Sequence, residues 1–280
     1  MTDNTIREPL SIGAELSSVD IRDYHLANTI AKLPSHFELD TVPVKNQGSM
    51  PTCTAHAASI MVEYFNMKQE SGGHKTFSTN YIFGRRDVGV DGKGMSLRDA
   101  LKILKTYGDC PLADAPGNEE YSKARASLEL KGLDKLDKIA YPHRISSYFR
   151  CESDDEVKTA LINHGYVIIN MPTYKYCIVD DVYTPTTNKI KGYHAAIIYG
   201  WDDTQGWLVQ NSWGSKWAGD GRFILPFNYP IVEYWGASDA VIGEGLKTPN
   251  RIIRAISLIY NCVANFLNRL IKSMMTRKEN

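Results

Sequence analysis

The chain has no CxxC pair, no His/Cys cluster at zinc spacing, no GxxxxGK[ST] loop and no dinucleotide-binding glycine fingerprint. These absences remove structural zinc sites, P-loop chemistry and nicotinamide chemistry from the reading, and no metal or organic cofactor is expected. Neither sign of charge predominates: 32 Lys and Arg balance 32 Asp and Glu. A nucleic-acid-binding surface is therefore not expected. The five cysteines, Cys53, Cys110, Cys151, Cys177 and Cys262, are odd in number and widely spaced, which argues for free thiols. The start, MTDNTIREPLSIGAELSSVD, lacks the basic flank and apolar core of a secretory signal. The expected location is cytoplasmic, or outside the cell by a route without a cleavable signal peptide.

What is present is ample apolar sequence, 43% of 280 residues, enough for one large domain or two lobes sharing an interface. Residues 1–32 are polar and mixed, with weak alternation at Val19, Ile21 and Tyr24, and read as an N-terminal extension. Three helices are predicted. MPTCTAHAASIMVEYFNMKQESGG is apolar on most of its circumference, capped by Thr52 and stopped by Gly72-Gly73. SLRDALKILKTYGD opens at Ser96 and stops at Gly108. SDDEVKTALINHG carries a capping box of Ser153 and Glu156 and stops at Gly165. YVIINMP, HAAIIYGW, GWLVQN and GRFILP then read as strands. Helices early and strands late predict an α+β fold with two lobes and a cleft between them. Residues 246–280 carry a helical apolar stripe from Ile252 to Met274, with six basic and no acidic residues between Arg251 and Lys278. That segment is expected to be a basic amphipathic helix. It would serve self-association or protein packing ahead of peripheral membrane contact.

Cys53 falls at the start of the first helix, where the helix dipole favours a thiolate. A nucleophile also needs a base, an orienter for the base and donors for an oxyanion. His194 opens a strand 141 residues later, Asn211 closes a strand 17 residues after that, and Gln47 lies six residues before Cys53. His56, one helical turn from Cys53, is a rival base but reads better as a core histidine. His25, His36, His74, His143 and His164 match no site. The acidic run ESDDE reads as a helix start, and Trp201, Trp207 and Trp217 as core.

The blocks PVKNQG with Cys53 beyond it, YHAAIIYGW and NSWGSKWAGDGRF resemble, in order, the signatures of papain-like cysteine peptidases. The resemblance covers residues 33–245 and implies the two-lobed papain-like fold. It also implies hydrolysis of peptide bonds in peptide or protein substrates through a thioester acyl-enzyme. Cys53 would be the nucleophile, His194 the base, Asn211 its orienter, and Gln47 with the Cys53 N–H the oxyanion hole. Trp213 would shield the His–Asn pair, Gly94 would meet substrate backbone, and Tyr193 would border the main specificity pocket. The sequence departs from the family with Met50-Pro51-Thr52 before the cysteine and Thr54 after it, and loses the disulfide made from the position of Met50. The resemblance also raises two equal readings of residues 1–32, a built-in segment that blocks the cleft and an arm packed on the surface. Deamidation or transamidation, and a non-catalytic binding protein on this fold, are the alternatives.

Overall fold

The computed structural model describes residues 3–26, 30–69, 73–86, 94–115, 117 and 120–239. The expected C-terminal helix and Gly72 lie outside these residues. The chain divides into two compact units, Met1–Ala240 and Val241–Asn280.

The elements of the first unit run β1 (Asp3–Arg7), β2 (Ala14–Glu15), β3 (His36–Glu38), α1 (Cys53–Gln69), α2 (Thr79–Phe83), β4 (Met95–Ser96), α3 (Leu97–Thr106), α4 (Tyr121–Lys131) and α5 (Leu133–Ala140). The chain continues through β5 (Ile145–Cys151), α6 (Asp154–His164), β6 (Val167–Thr173), β7 (Tyr176–Val179), β8 (Val182–Pro185), β9 (Gly192–Asp202), β10 (Gly206–Gln210), β11 (Arg222–Leu225) and β12 (Glu233–Asp239). One large sheet has the order β1-β7-β8-β11-β10-β9-β6-β12-β5, with β3 added on β9.

All three predicted helices form, and two of them carry the caps read from the sequence. The Ser96 hydroxyl accepts from Asp99 N–H and the Ser153 hydroxyl from Glu156 N–H, so each satisfies one of the helix's orphan donors. In α6 the Glu156 carboxylate reaches back to Glu152 N–H at 2.7 Å, one residue beyond the usual reciprocal partner of a capping box. The acidic run is thus the first turn of α6, where the helix dipole favours it.

The position of the core explains why α1 carries apolar or small side chains all round. From Cys53 to Asn66 it is buried, wedged between α2 and α3 on one side and Ala195, Ile197, Ile168 and Trp235 of the sheet on the other. A second core lies on the opposite face of the sheet around Trp201, Trp207, Trp213 and Trp217. β9 serves both: Ala195 and Ile197 face α1, Ala196 and Ile198 face the second core. That two-sided burial produces the unbroken run HAAIIYGW.

Beneath α1 sits Asp109, fully buried. It accepts from Cys110 N–H at 2.8 Å, with the Ser59 hydroxyl beside the carboxyl. Burial pushes its pKa up to about 8, against the milder opposing pull of Lys45. A carboxyl with a raised folded-state pKa contributes stability in full below its ordinary value of 3.8, and that stability is lost as pH rises towards about 8. Asp109→Asn is therefore expected to melt several degrees above the parent at pH 8 and to match it near pH 4. Thermal denaturation across that range checks the slope.

Candidate active site

Thr52 O accepts the first helical hydrogen bond of α1, from His56 N–H at 2.9 Å. Cys53 is thus the first helical residue, as the sequence suggested. His194 is the third residue of β9 and Asn211 follows the end of β10; the two strands pair antiparallel, which turns a gap of 17 residues into contact. His194 Nε2 and Asn211 Oδ1 are 2.7 Å apart. Asn211 Oδ1 also accepts Ser212 N–H at 2.7 Å. A backbone N–H can only donate, so that atom is the amide oxygen, and His194 Nε2 must carry the proton. The neutral ring then leaves Nδ1 as its acceptor, and this buried atom has no hydrogen-bond partner.

Gln47 is fully buried. Its Oε1 accepts from the Ser212 hydroxyl at 2.7 Å, and its Nε2 donates to Met50 O at 2.9 Å and reaches Ser11 O at 3.5 Å. Ser212 therefore points the donor end of Gln47 into the cleft. Sequence reading missed that role, although Ser212 adjoins Asn211. Trp213 lies on the His194 ring, with centroids 4.5 Å apart, and its Nε1 donates to Ser11 O at 3.2 Å. Tyr193 is half-buried and packs against the α1 core beside His194. His56 is buried and bonded through Nδ1 to Thr52 O at 2.9 Å, and burial lowers its pKa to about 3. It is a satisfied core histidine.

Gly94 meets the N-terminal segment. A Cβ at Gly94 would lie 1.4 Å from Gly13 O, and a Cβ at Gly13 would lie 2.3 Å from Pro51 O. The segment that reads as an extension is a strap through the cleft. β1 pairs with β7, Glu8 binds Lys175 at 2.7 Å and Lys191 at 3.3 Å, and the Ser11 hydroxyl donates to Met50 O at 2.6 Å. β2 then pairs parallel with β4, and Met95 N–H donates to Gly13 O at 3.0 Å. Asn170 Nδ2 donates to Glu15 O at 3.1 Å, and Ser17 N–H donates to Glu233 Oε1 at 2.6 Å. Val19, Ile21 and Tyr24, whose alternation hints at a strand, all point outward at 92%, 97% and 64% exposure.

Under this strap Cys53 is 0% and His194 1% exposed. The helix N-terminus suggests a lowered thiol pKa; instead burial dominates and pushes it up, despite backbone hydrogen bonds from Ala195, Gly13 and Thr54. Those contacts favour the thiolate, as N–H donors do, and one of them comes from the strap's Gly13. Burial likewise brings His194 down to about 4, against the hydrogen bond with Asn211. In the covered cleft both groups are neutral. The site thus offers Nδ1 as an acceptor on the strand whose Ala195 N–H bonds the Cys53 sulfur, and Gln47 Nε2 as an amide donor. Among the described residues no group of three or more His, Cys, Asp or Glu side chains could hold a metal ion.

The sequence model of papain family cysteine proteases matches residues 34–229. The chain belongs to the papain family of cysteine proteases. An uncharacterized peptidase C1-like protein of Acanthamoeba polyphaga mimivirus is 25% identical over 225 residues, 71% of this chain and 69% of that one. Cathepsin B-like cysteine proteinase 1 of Haemonchus contortus is 26% identical over 42% of this chain and only 34% of its own. Among solved structures, xylellain, a cysteine protease from Xylella fastidiosa, superposes with TM-score 0.72 at 24% identity, over 84% of this chain and 100% of its own. Procathepsin B S9 of Trypanosoma congolense gives 0.64 at 14% identity, over 82% and 86%. The papain-like α+β fold is thus shared, and this papain-family chain is a cysteine peptidase by family.

Proposed function

We propose that the chain cleaves peptide bonds with Cys53 as nucleophile, His194 as proton carrier and Asn211 as the orienter of His194, and that residues 3–26 hold it inactive. The observation carrying this reading is the His194–Asn211 pair at 2.7 Å with an open Nδ1, beside a cysteine at a helix start and beneath a strap. Cys53 gives its proton to His194 Nδ1 and attacks the carbonyl carbon. The Gln47 amide and Cys53 N–H take up the oxyanion. His194 returns the proton to the departing amine, and water then hydrolyses the thioester. The strap opposes each step: its Ser11 carbonyl sits on the Gln47 and Trp213 donors, and its Gly13 N–H faces sulfur.

Intact mass after brief exposure to an epoxysuccinyl peptide, which alkylates activated thiolates, tests both parts. We expect one adduct on a strap-loosened chain and on its His56→Ala form, and none with Cys53→Ala or His194→Ala. The unaltered chain should react far more slowly. Equal reaction with and without the strap contacts would remove the inhibitory role, and an adduct that survives Cys53→Ala would remove the nucleophile.

A further inference from the structure

Beyond Gly13 the strap runs along β4, and α3 begins at the next residue, so Arg98 stands at the end of the stretch where an extended chain pairs with Met95–Ser96. Arg98 is 5% exposed. Its Nε donates to Asp23 Oδ1 at 2.9 Å, its Nη2 to Asp23 Oδ2, and its Nη1 to the Ser18 carbonyl and hydroxyl. Among the described residues every hydrogen bond of this guanidinium therefore ends on the strap. Arg150 comes within 4.0 Å of the same carboxylate. The two guanidinium carbons lie 5.4 and 5.3 Å from the centre of the Trp235 ring, an aromatic platform that suits planar cations.

When the strap lifts, a nearly buried arginine loses its ion-paired carboxylate and its carbonyl partner together, an expensive state unless another anion enters. Glu233 does not fill the place. Its Oε2 accepts from Trp235 Nε1 at 2.8 Å, which keeps the carboxylate at the edge of the indole while Arg98 sits over the face. Two arginines against one glutamate leave the site positive.

We propose that Arg98 and Arg150, set on Trp235, form a subsite for a carboxylate side chain of the peptide substrate, and that Asp23 is its built-in occupant. This rests on the proposed peptidase activity and names its substrate class: peptides with Asp or Glu on the side of the scissile bond that lies along Met95–Ser96. An acidic substrate and the strap then compete for one arginine fork, so the preferred substrate also helps to open the cleft.

The test uses the full chain with Asp23→Asn, and peptide pools in which each position in turn is fixed as Glu, Gln or Lys, with cleavage read by mass spectrometry. One position is expected to favour Glu over Gln by about tenfold, the worth of a charge-assisted arginine pair, with Lys poorer still. Adding Arg98→Gln should bring that ratio close to one while cleavage of the Gln pool continues, and Arg150→Gln should lower it in part. The more exposed Arg150 keeps the comparison available should Arg98→Gln fail to fold. A ratio near one at every position, or a Glu preference untouched by both arginine changes, overturns the subsite. Calorimetric binding of the same pools to the Cys53→Ser, Asp23→Asn chain gives the readout without turnover. Discrimination there with no cleavage by the Cys53 form would overturn the peptidase reading and leave the subsite standing, whereas equal affinities overturn the subsite alone.

Discussion

His194→Ala is expected to lower kcat/KM of the strap-loosened enzyme by about four to six powers of ten near neutral pH, the scale seen when a nucleophile loses its base. The residual rate should climb with pH instead of levelling. The reason lies in the two pKa directions. Burial drives the Cys53 thiol up from 9.0 and the His194 imidazole down to about 4, so in the covered cleft the proton stays on sulfur. Opening admits water and relieves both penalties, and the imidazole can then share the proton. Without His194 the thiol must ionise unaided, and the thiolate fraction grows about tenfold per pH unit until the thiol pKa is reached. Asn211→Ala should cost less, because the ring remains and only its tautomer and orientation loosen; a loss of roughly a hundredfold is expected. Initial rates from pH 5 to 10 on the three chains separate these cases. A His194→Ala profile parallel to that of the parent would move the base elsewhere.

The His194–Asn211 contact and the place of Cys53 at the start of α1 were legible because they are carried by residue types that have few other reasons to be where they are. A cysteine after a turn, a histidine opening an apolar strand and NSW closing another mark positions where packing alone would favour other side chains. The expectations that held best, the capped helices and β9, are those whose signals are local: Ser96 and Ser153 bind N–H groups three residues on. Less was visible where the decisive partner is distant in sequence. α4 and α5 went unread. In α4 only alternate patches such as Ala124 and Leu128 are buried, against Tyr81 and Cys110 of other elements. β12 was hidden by Glu233, a buried acid in a strand, and its reason is the strap's Ser17 N–H and Trp235 Nε1. The strap itself has no periodic signature, since it is held by short stretches of backbone pairing with β7 and β4 and by single side-chain bonds such as Asp23 to Arg98. The thiol pKa went the other way from the helix-dipole expectation because desolvation by burial outweighs a dipole at contact range.

The smallest change expected to switch the enzyme on is Gly13→Ala. At Gly13 the strap passes so close to the start of α1 that one methyl group would lie 2.3 Å from Pro51 O and 2.6 Å from both Pro51 C and Cβ. None of these can give way cheaply: Pro51 immediately precedes the cap of α1, its ring fixes the backbone, and the opposite side is closed by Gly94 and the Met95 N–H bond to Gly13 O. The strap must therefore rise at the point where it covers sulfur. Overpacking of this kind costs about 1–3 kcal/mol, which shifts the closed–open balance by roughly 5- to 150-fold towards open. Catalytic groups are untouched, so kcat/KM for a peptide and the rate of Cys53 alkylation should rise together by that factor. Gly13→Ala adds no charge and removes no anchor, since the Glu8–Lys175 and Asp23–Arg98 pairs lie on either side of it; this distinguishes it from Asp23→Asn, which also empties the arginine site. If alkylation of Gly13→Ala proceeds no faster than that of the parent, the strap already leaves Cys53 as often as chemistry requires, and the cleft is gated by something other than residues 3–26.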